Sequence, residues 1–306
     1  MIYTLRHLTR YRYGKPVRFA RCAMRLTPRD GEGQSVLESS LSISPDPRTR
    51  VVRHDYFGLE TVSVTIDTPH SELRVEARSR VRVERPPLPQ AEAGAPWERV
   101  RDAVLGARAL GPDAPVHYLF PSIRVPLVPA VTDYARESFA PGRSAYGAAF
   151  ALMARMRADF RFDSKATNVH TPLAKAFAMR AGVCQDFAHI MIAGLRGLGL
   201  PAAYVSGYLR TIPPPGRPRL RGADASHAWI AVWCGEGWIG LDPTNGIGVR
   251  DDHILVARGR DYTDVSPIDG MVSSSGSQKL RVEVDVIPDG EAMPESADAL
   301  AEDGVH

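Results

Sequence analysis

The sequence predicts an α+β protein in which a small antiparallel β domain precedes a core built of helices and sheet. Three observations predict it. Residues 1 to about 85 alternate with the period of two that half-buried strands require. A proline-rich stretch follows, and from Trp97 the texture turns helical. Beyond a well-marked helix beginning at Cys184, short alternating runs return, two of them carrying a polar residue at one end.

In the first region the runs at 3–5, 41–44, 51–52, 62–66 and 73–77 fit strands. Thr27-Pro28-Arg29-Asp30-Gly31, Pro45-Asp46-Pro47 and Asp67-Thr68-Pro69 supply the turns between them. Short strands with such punctuation predict a small antiparallel sandwich over residues 1–85. Residues 86–96, rich in proline, read as a stiff extended linker.

Residues 97–287 then read as one core. Helices are expected over 145–160, where Pro141-Gly142-Arg143-Ser144 marks the start, and over 173–180. The third helix begins at Cys184, because Val183, Phe187, Ile190, Met191, Leu195 and Leu198 recur on one helical face. Gly197, Gly199 and Pro201 end it. Strands are expected over 203–209, 228–234 and 238–241, with Pro213-Pro214-Pro215-Gly216 in a loop between the first two. Residues 279–287 alternate again. From 288 to 306 the chain carries Asp289, Glu291, Glu295, Asp298, Glu302 and Asp303 with no lysine or arginine, and this acidic tail is expected to be disordered.

Bulk composition narrows the function. The 306 residues are 44% hydrophobic and 24% charged, as in ordinary globular proteins, and the net charge of +3 is too small to argue for nucleic acid or an anionic membrane. Arg6, Arg10, Arg12, Lys15, Arg18, Arg21 and Arg25 alternate with apolar positions and read as a solvated strand face. The 3 cysteines, Cys22, Cys184 and Cys234, form no CxxC pair, so neither a structural zinc site nor a disulfide framework is expected. Unpaired thiols, no signal-peptide pattern and no membrane-length apolar run make the cytosol the expected compartment. No cofactor or metal motif stands out; Asp251-Asp252-His253 reads as a turn or a loop-borne hydrogen-bonding group.

The chemistry concentrates in three places. Cys184 lies where a glycine-led turn gives way to a helix, and the amide-rich helix start favours a thiolate. The competing reading is a buried structural cysteine. His227 heads the run Ala228-Trp229-Ile230-Ala231-Val232-Trp233, in which both faces look buried, and it is the candidate base. A strand-edge histidine bonded to a carbonyl is the alternative. Asp242 closes the next run and fits a hairpin turned at Gly235-Glu236-Gly237, close enough for a carboxylate to hold the imidazole. Its plain alternative is an Asp-Pro turn residue. A thiol needs a base, and the base needs a third group to orient it, so Cys184, His227 and Asp242 are the candidate catalytic set.

The segments Gly182-Val183-Cys184-Gln185-Asp186-Phe187-Ala188, Ser226-His227-Ala228-Trp229 and Gly240-Leu241-Asp242-Pro243-Thr244-Asn245 together resemble the bacterial branch of the transglutaminase-like superfamily. The amino-terminal block with His7, Thr9, Tyr11 and Tyr13 resembles that family's amino-terminal β domain, and the segment 259–267 resembles its region after the triad. The resemblance implies a papain-like α+β core, a helix bundle packed on an antiparallel sheet, with a Cys–His–Asp triad. It implies a thioester formed from a carboxamide or peptide bond of a peptide or protein substrate, resolved by water (protease or amidase) or by an amine (transglutaminase). A non-catalytic binding module on the same fold is the alternative.

Neighbouring residues fit other roles. His189 lies about 140° round the helix from Cys184 and is expected in the core. Asp186 is expected to cap the helix or to pair with Arg180, Arg210 or Arg260. Gln185, Asn168 and a tryptophan N–H are the candidates for a second oxyanion donor beside the Cys184 amide. The β domain is expected to be structural. Oligomeric state is not legible in the chain.

Overall fold

The structure is a computed structural model and describes residues 1–108, 110–111, 113–212, 222, 224–273 and 276–291. The proline loop at 213–216 and nearly all of the acidic tail lie outside the described residues. Six strands come first: β1 (Ile2–Val17), β2 (Ala20–Met24), β3 (Gln34–Ser44), β4 (Thr49–His54), β5 (Glu60–Ile66) and β6 (His70–Val83). Next come α1 (Trp97–Leu105), a 3-10 turn (Pro115–Tyr118), α2 (Pro129–Arg136), α3 (Ala145–Asp159), β7 (Arg161–Phe162), α4 (Leu173–Met179) and β8 (Ala181–Gly182). Then α5 (Cys184–Gly197), β9 (Ala202–Leu209), β10 (Ala225–Trp233), β11 (Trp238–Asp242), β12 (Ile247–Gly248) and β13 (His253–Gly259) form the centre. The short helix α6 (Tyr262–Val265), β14 (Ile268–Val272) and β15 (Gln278–Pro288) complete it.

Two four-stranded sheets, ordered β15-β1-β6-β3 and β14-β2-β5-β4, make the amino-terminal sandwich. Val17, Met24, Val62, Ile66, Leu73 and Val75 fill the space between them. The expected division of the chain needs one addition: β14 and β15, which fall inside 97–287, also join these sheets, while Val284 and Val286 of β15 pack in the main core. β14 pairs with β2 and β15 with β1 along most of their lengths, so the end of the chain closes both sheets of its beginning. Without them β1 and β2 would each expose a row of unpaired backbone groups.

The inner face of β1 serves more than one neighbourhood. Tyr3 and Leu5 belong to the main core with α3, α5 and β10, whereas Tyr13 and Val17 belong to the sandwich interior. On its other face the solvated reading of the arginines needs one correction. Arg6 is 2% exposed and bonded to Glu76 at 3.1 Å, Glu283 at 3.2 Å and Asp285 at 3.1 Å. Those acids arrive on β6 and β15, so a paired, buried guanidinium replaces a solvated one.

The expected linker is likewise no free spacer. The Ala91 carbonyl accepts from the Ser144 hydroxyl, the Ala95 carbonyl accepts from the Ala145 N–H, and Arg85 donates to the His253 carbonyl at 3.0 Å. Residues 85–95 are strapped to the core.

The second sheet, β12-β11-β10-β9-β13, is wholly antiparallel. Ala228, Ile230 and Val232 pack toward the helices, while Trp229 and Ala231 pack on the far side with Tyr118 and Leu255. Both faces of β10 are therefore buried. Arg196 on α5 pins the helix in place: it donates to the carbonyls of Ala202 at 2.8 Å, Phe120 at 3.0 Å and Arg260 at 2.6 Å. Burial pushes its pKa down to about 10, which leaves it charged at neutral pH. No helix among the described residues is long and apolar enough to cross a membrane.

Gly207 on β9 makes room for groups on its two neighbouring strands, β10 and β13. A Cβ there would sit 2.1 Å from the Ile254 carbonyl oxygen and 2.4 Å from the Trp229 ring. Gly207→Ala is expected to cost about 1–3 kcal/mol and lower the melting temperature by several degrees. An unchanged thermal melt would contradict this packing.

Candidate active site

Cys184 is placed by a chain of local constraints. Arg180 ends α4 in the left-handed conformation, φ 50°, with its guanidinium stacked 4.2 Å from the Phe177 ring centre and 4.5 Å from that of Tyr134. The chain then runs through β8, which pairs with β7, and turns helical at Cys184. Asp186 folds back to accept the Val183 N–H at 2.9 Å and the Thr167 hydroxyl at 2.5 Å. A Cβ on Gly182 would lie 2.5 Å from that carboxylate, so glycine is required for the approach. Asp186 thus caps the helix start, half of a capping box, since Val183 has no side-chain acceptor to reciprocate.

His227 and Asp242 come from β10 and β11. The hairpin between them pairs Trp233 with Trp238 and Ile230 with Leu241, and Cys234 N–H reaches the Gly237 carbonyl at 3.0 Å across the expected turn. His227 Nε2 lies 2.8 Å from Asp242 Oδ2. Its other nitrogen, Nδ1, is not engaged by Asp242, and His227 and the Cys184 thiol line the same cavity. The structure therefore brings all three predicted residues together.

Asp242 is fully enclosed and heavily bonded. Its Oδ2 also accepts from Asn245 Nδ2 at 2.7 Å and faces His253 Nε2 at 3.2 Å, while Oδ1 accepts the N–H groups of Thr244 at 3.0 Å and Asn245 at 3.2 Å. Burial opposes its ionisation, but the bonds from His227, His253 and Asn245 outweigh burial and hold the carboxyl far below its usual range. For His227, burial works to lower the pKa. The bond with Asp242 and the proximity of Cys184 overcome it and raise the imidazole to about 10.

His253 was expected in a turn or as a loop-borne hydrogen-bonding group. It instead opens β13, 1% exposed, and brings a second imidazole to the same carboxylate oxygen. The ligand atoms of His227, Asp242 and His253 lie within 4.8 Å of one another, a spacing a metal could use. The hydrogen bonds they share already account for the carboxylate. Asn245 also had no predicted role; the Asp-Pro-Thr-Asn turn that orients it was the available signal.

A cavity of about 320 Å³ opens beside the thiol. Cys184, Gln185 and His227 line it on the core side, and His7, Thr9 and Leu280 line it from β1 and β15. The β domain is thus a wall of this cavity. His227 also borders a second cavity, of about 300 Å³, beneath Phe162 and Asn245.

The other residues singled out in the sequence lie elsewhere. His189 is buried, accepts the Tyr262 N–H at 3.2 Å, and is held by burial at about 4. Burial raises the Cys22 thiol within the sandwich core and the Cys234 thiol to about 12. Of the three guesses for a second oxyanion donor, Gln185 lines the thiol cavity. Asn168 and the tryptophans do not, and Trp238 lies beside Pro87 and Leu88 at a different cavity.

Comparison with known proteins gives matches to both parts of the chain. The profile of the bacterial transglutaminase-like N-terminal region matches residues 3–82, and that of the transglutaminase-like superfamily matches residues 132–243. An uncharacterized protein of Mycobacterium tuberculosis is 38% identical over 95% of this chain and 94% of its own length. A protein-glutamine gamma-glutamyltransferase of Pseudomonas aeruginosa is 32% identical over 33% of this chain and 17% of its own. The crystal structure of a protein from Cytophaga hutchinsonii, provisionally assigned as a cysteine protease, superposes with a TM-score of 0.71 at 20% identity, covering 96% of this chain and 93% of that one.

The His227–Asp242 bond has a measurable signature. Asp242→Asn is expected to lower the His227 titration midpoint, read by NMR, by about one to three pH units, since burial then acts with less opposition. In the wild-type protein the folded state holds that proton more tightly than the unfolded chain. Its stabilising contribution is therefore full below 6.5 and is lost as pH rises through about 10. A midpoint near 6.5 in the wild-type protein would contradict the assignment.

Proposed function

Since this chain belongs to the transglutaminase-like superfamily, we propose that it is a cysteine-nucleophile acyl-transfer enzyme acting on carboxamide or peptide bonds of a peptide or protein. One observation carries the reading. A thiol at a helix start shares a cavity with an imidazole whose Nε2 is held at 2.8 Å by a buried carboxylate.

In the proposed cycle His227, raised to about 10, already carries the proton on Nδ1, and the Cys184 sulfur attacks the carbonyl carbon as the thiolate. The Cys184 N–H, free at the start of α5, is placed to donate to the developing oxyanion. As the intermediate collapses the C–N bond breaks, the His227 proton goes to the departing amine, and a thioester remains. Water or a second amine then attacks the thioester, gives its proton to His227, and the C–S bond breaks to restore the thiolate. Asp242 stays ionised throughout and keeps the imidazole oriented.

The water branch makes a protease or amidase, and the amine branch a transglutaminase. Incubation with a glutamine-containing peptide and a fluorescent amine separates them. Amine incorporation signals transfer, while ammonia or new amino termini without incorporation signal hydrolysis. Either activity is expected to fall about 10³-fold or more in Cys184→Ala and to have an alkaline limb near pH 10, where His227 loses its proton. Activity that survives Cys184→Ala would overturn the proposal, and no activity of the wild-type protein in either branch would favour a binding module.

A further inference from the structure

The amino-terminal strand contributes a polar relay to the thiol cavity that the reaction as written does not use. His7 Nδ1 lies 2.8 Å from the Tyr208 hydroxyl, and His7 Nε2 lies 2.9 Å from Thr9 Oγ1. His7 and Thr9 both line the cavity that holds Cys184. All three residues are buried, at 3%, 3% and 4% exposure for His7, Thr9 and Tyr208.

Hydrogen-bond accounting fixes the direction of this relay. A neutral imidazole has one donor and one acceptor nitrogen. Burial holds His7 at about 4, so at neutral pH it is in that neutral form. The Tyr208 hydroxyl is enclosed, and His7 is its hydrogen-bond partner among the described residues. Leaving that buried O–H unmade is costly, so Tyr208 donates to Nδ1. The imidazole proton must then sit on Nε2, which donates to Thr9 Oγ1. The Thr9 oxygen is thereby an acceptor within the relay, and its own proton is left to point into the cavity. No lysine, arginine, aspartate or glutamate lines that space. The His227 imidazolium on that lining is already paired with Asp242, so a neutral acceptor suits the Thr9 proton best, because no unpaired cation faces it to balance a buried carboxylate.

We propose that Thr9 is a substrate-binding residue whose hydroxyl, oriented as a donor by the Tyr208–His7 relay, binds a carbonyl oxygen of the acyl donor. The proposal rests on the Cys184 acyl-transfer reading and assigns the β domain a part in substrate selection. It requires no new bond-making step.

The test uses full-length protein and two thiol reagents at Cys184. One is an amino-blocked glutaminyl chloromethyl ketone, which carries carbonyl acceptors. The other is iodoethane, which carries none. In Thr9→Val the half-saturating concentration of the ketone should rise about 3- to 10-fold, the worth of one hydrogen bond, with its limiting inactivation rate and the iodoethane rate within about twofold of wild type. Thr9→Ser should restore wild-type behaviour. Tyr208→Phe, which leaves Thr9 intact but frees the His7 tautomer, should give a smaller rise in the same quantity and serves if Thr9→Val fails to fold. Unchanged ketone saturation in both variants would overturn the proposal, as would a parallel change in the iodoethane rate. If the ketone does not label Cys184 of the wild-type protein, the acyl-transfer reading falls and takes this inference with it. Rapid wild-type labelling that is indifferent to Thr9 sinks this inference alone.

Discussion

The arrangement depends on one buried carboxylate. Asp242 is wholly enclosed, and an ionised carboxylate there is tolerable only because hydrogen bonds reach it from His227, His253, Asn245 and the Thr244 amide. Those donors arrive on β10, on β13 and on the turn after β11. The sheet must therefore be fully formed before the carboxylate is satisfied, and the carboxylate in turn fixes where the imidazole points. The raised proton affinity of His227 and its approach to Cys184 both follow from that bond.

A second constraint is the path of β1. Its inner face passes from the main core at Tyr3 and Leu5, along the thiol cavity at His7 and Thr9, to the sandwich interior at Tyr13. Since β15 returns to pair beside it from Tyr3 to Tyr13, the two ends of the chain jointly build one side of the cavity. The sandwich and the core are coupled through this strand, so a change on β1 can reach the thiol cavity through a short chain of contacts.

Much of this was legible in the sequence because the signals were local. Helical periodicity and the preceding glycine placed Cys184 at a helix start, strict alternation placed His227 on a strand, and the Asp-Pro step placed Asp242 at the end of one. What escaped was non-local. His253 follows two aspartates and reads as a turn, yet it is carried back to Asp242 by the pairing of β13 with β9. Arg6 alternates with apolar residues as a solvated arginine would, but its partner Asp285 lies 279 positions away in the chain. The strands β14 and β15 have the right periodicity, and nothing in their own residues says that they join the opposite end of the polypeptide. The relay from Tyr208 through His7 to Thr9 crosses the same boundary and was invisible for the same reason.

The central claim is that the fold singles out one sulfur from three. Competitive alkylation of the native protein at neutral pH with limiting iodoacetamide, quantified for each cysteine by mass spectrometry, tests it most directly. The account predicts that Cys184 is modified about tenfold or more faster than the buried Cys22 and the half-buried Cys234. Comparable rates at all three, or preference for either of the others, would contradict it.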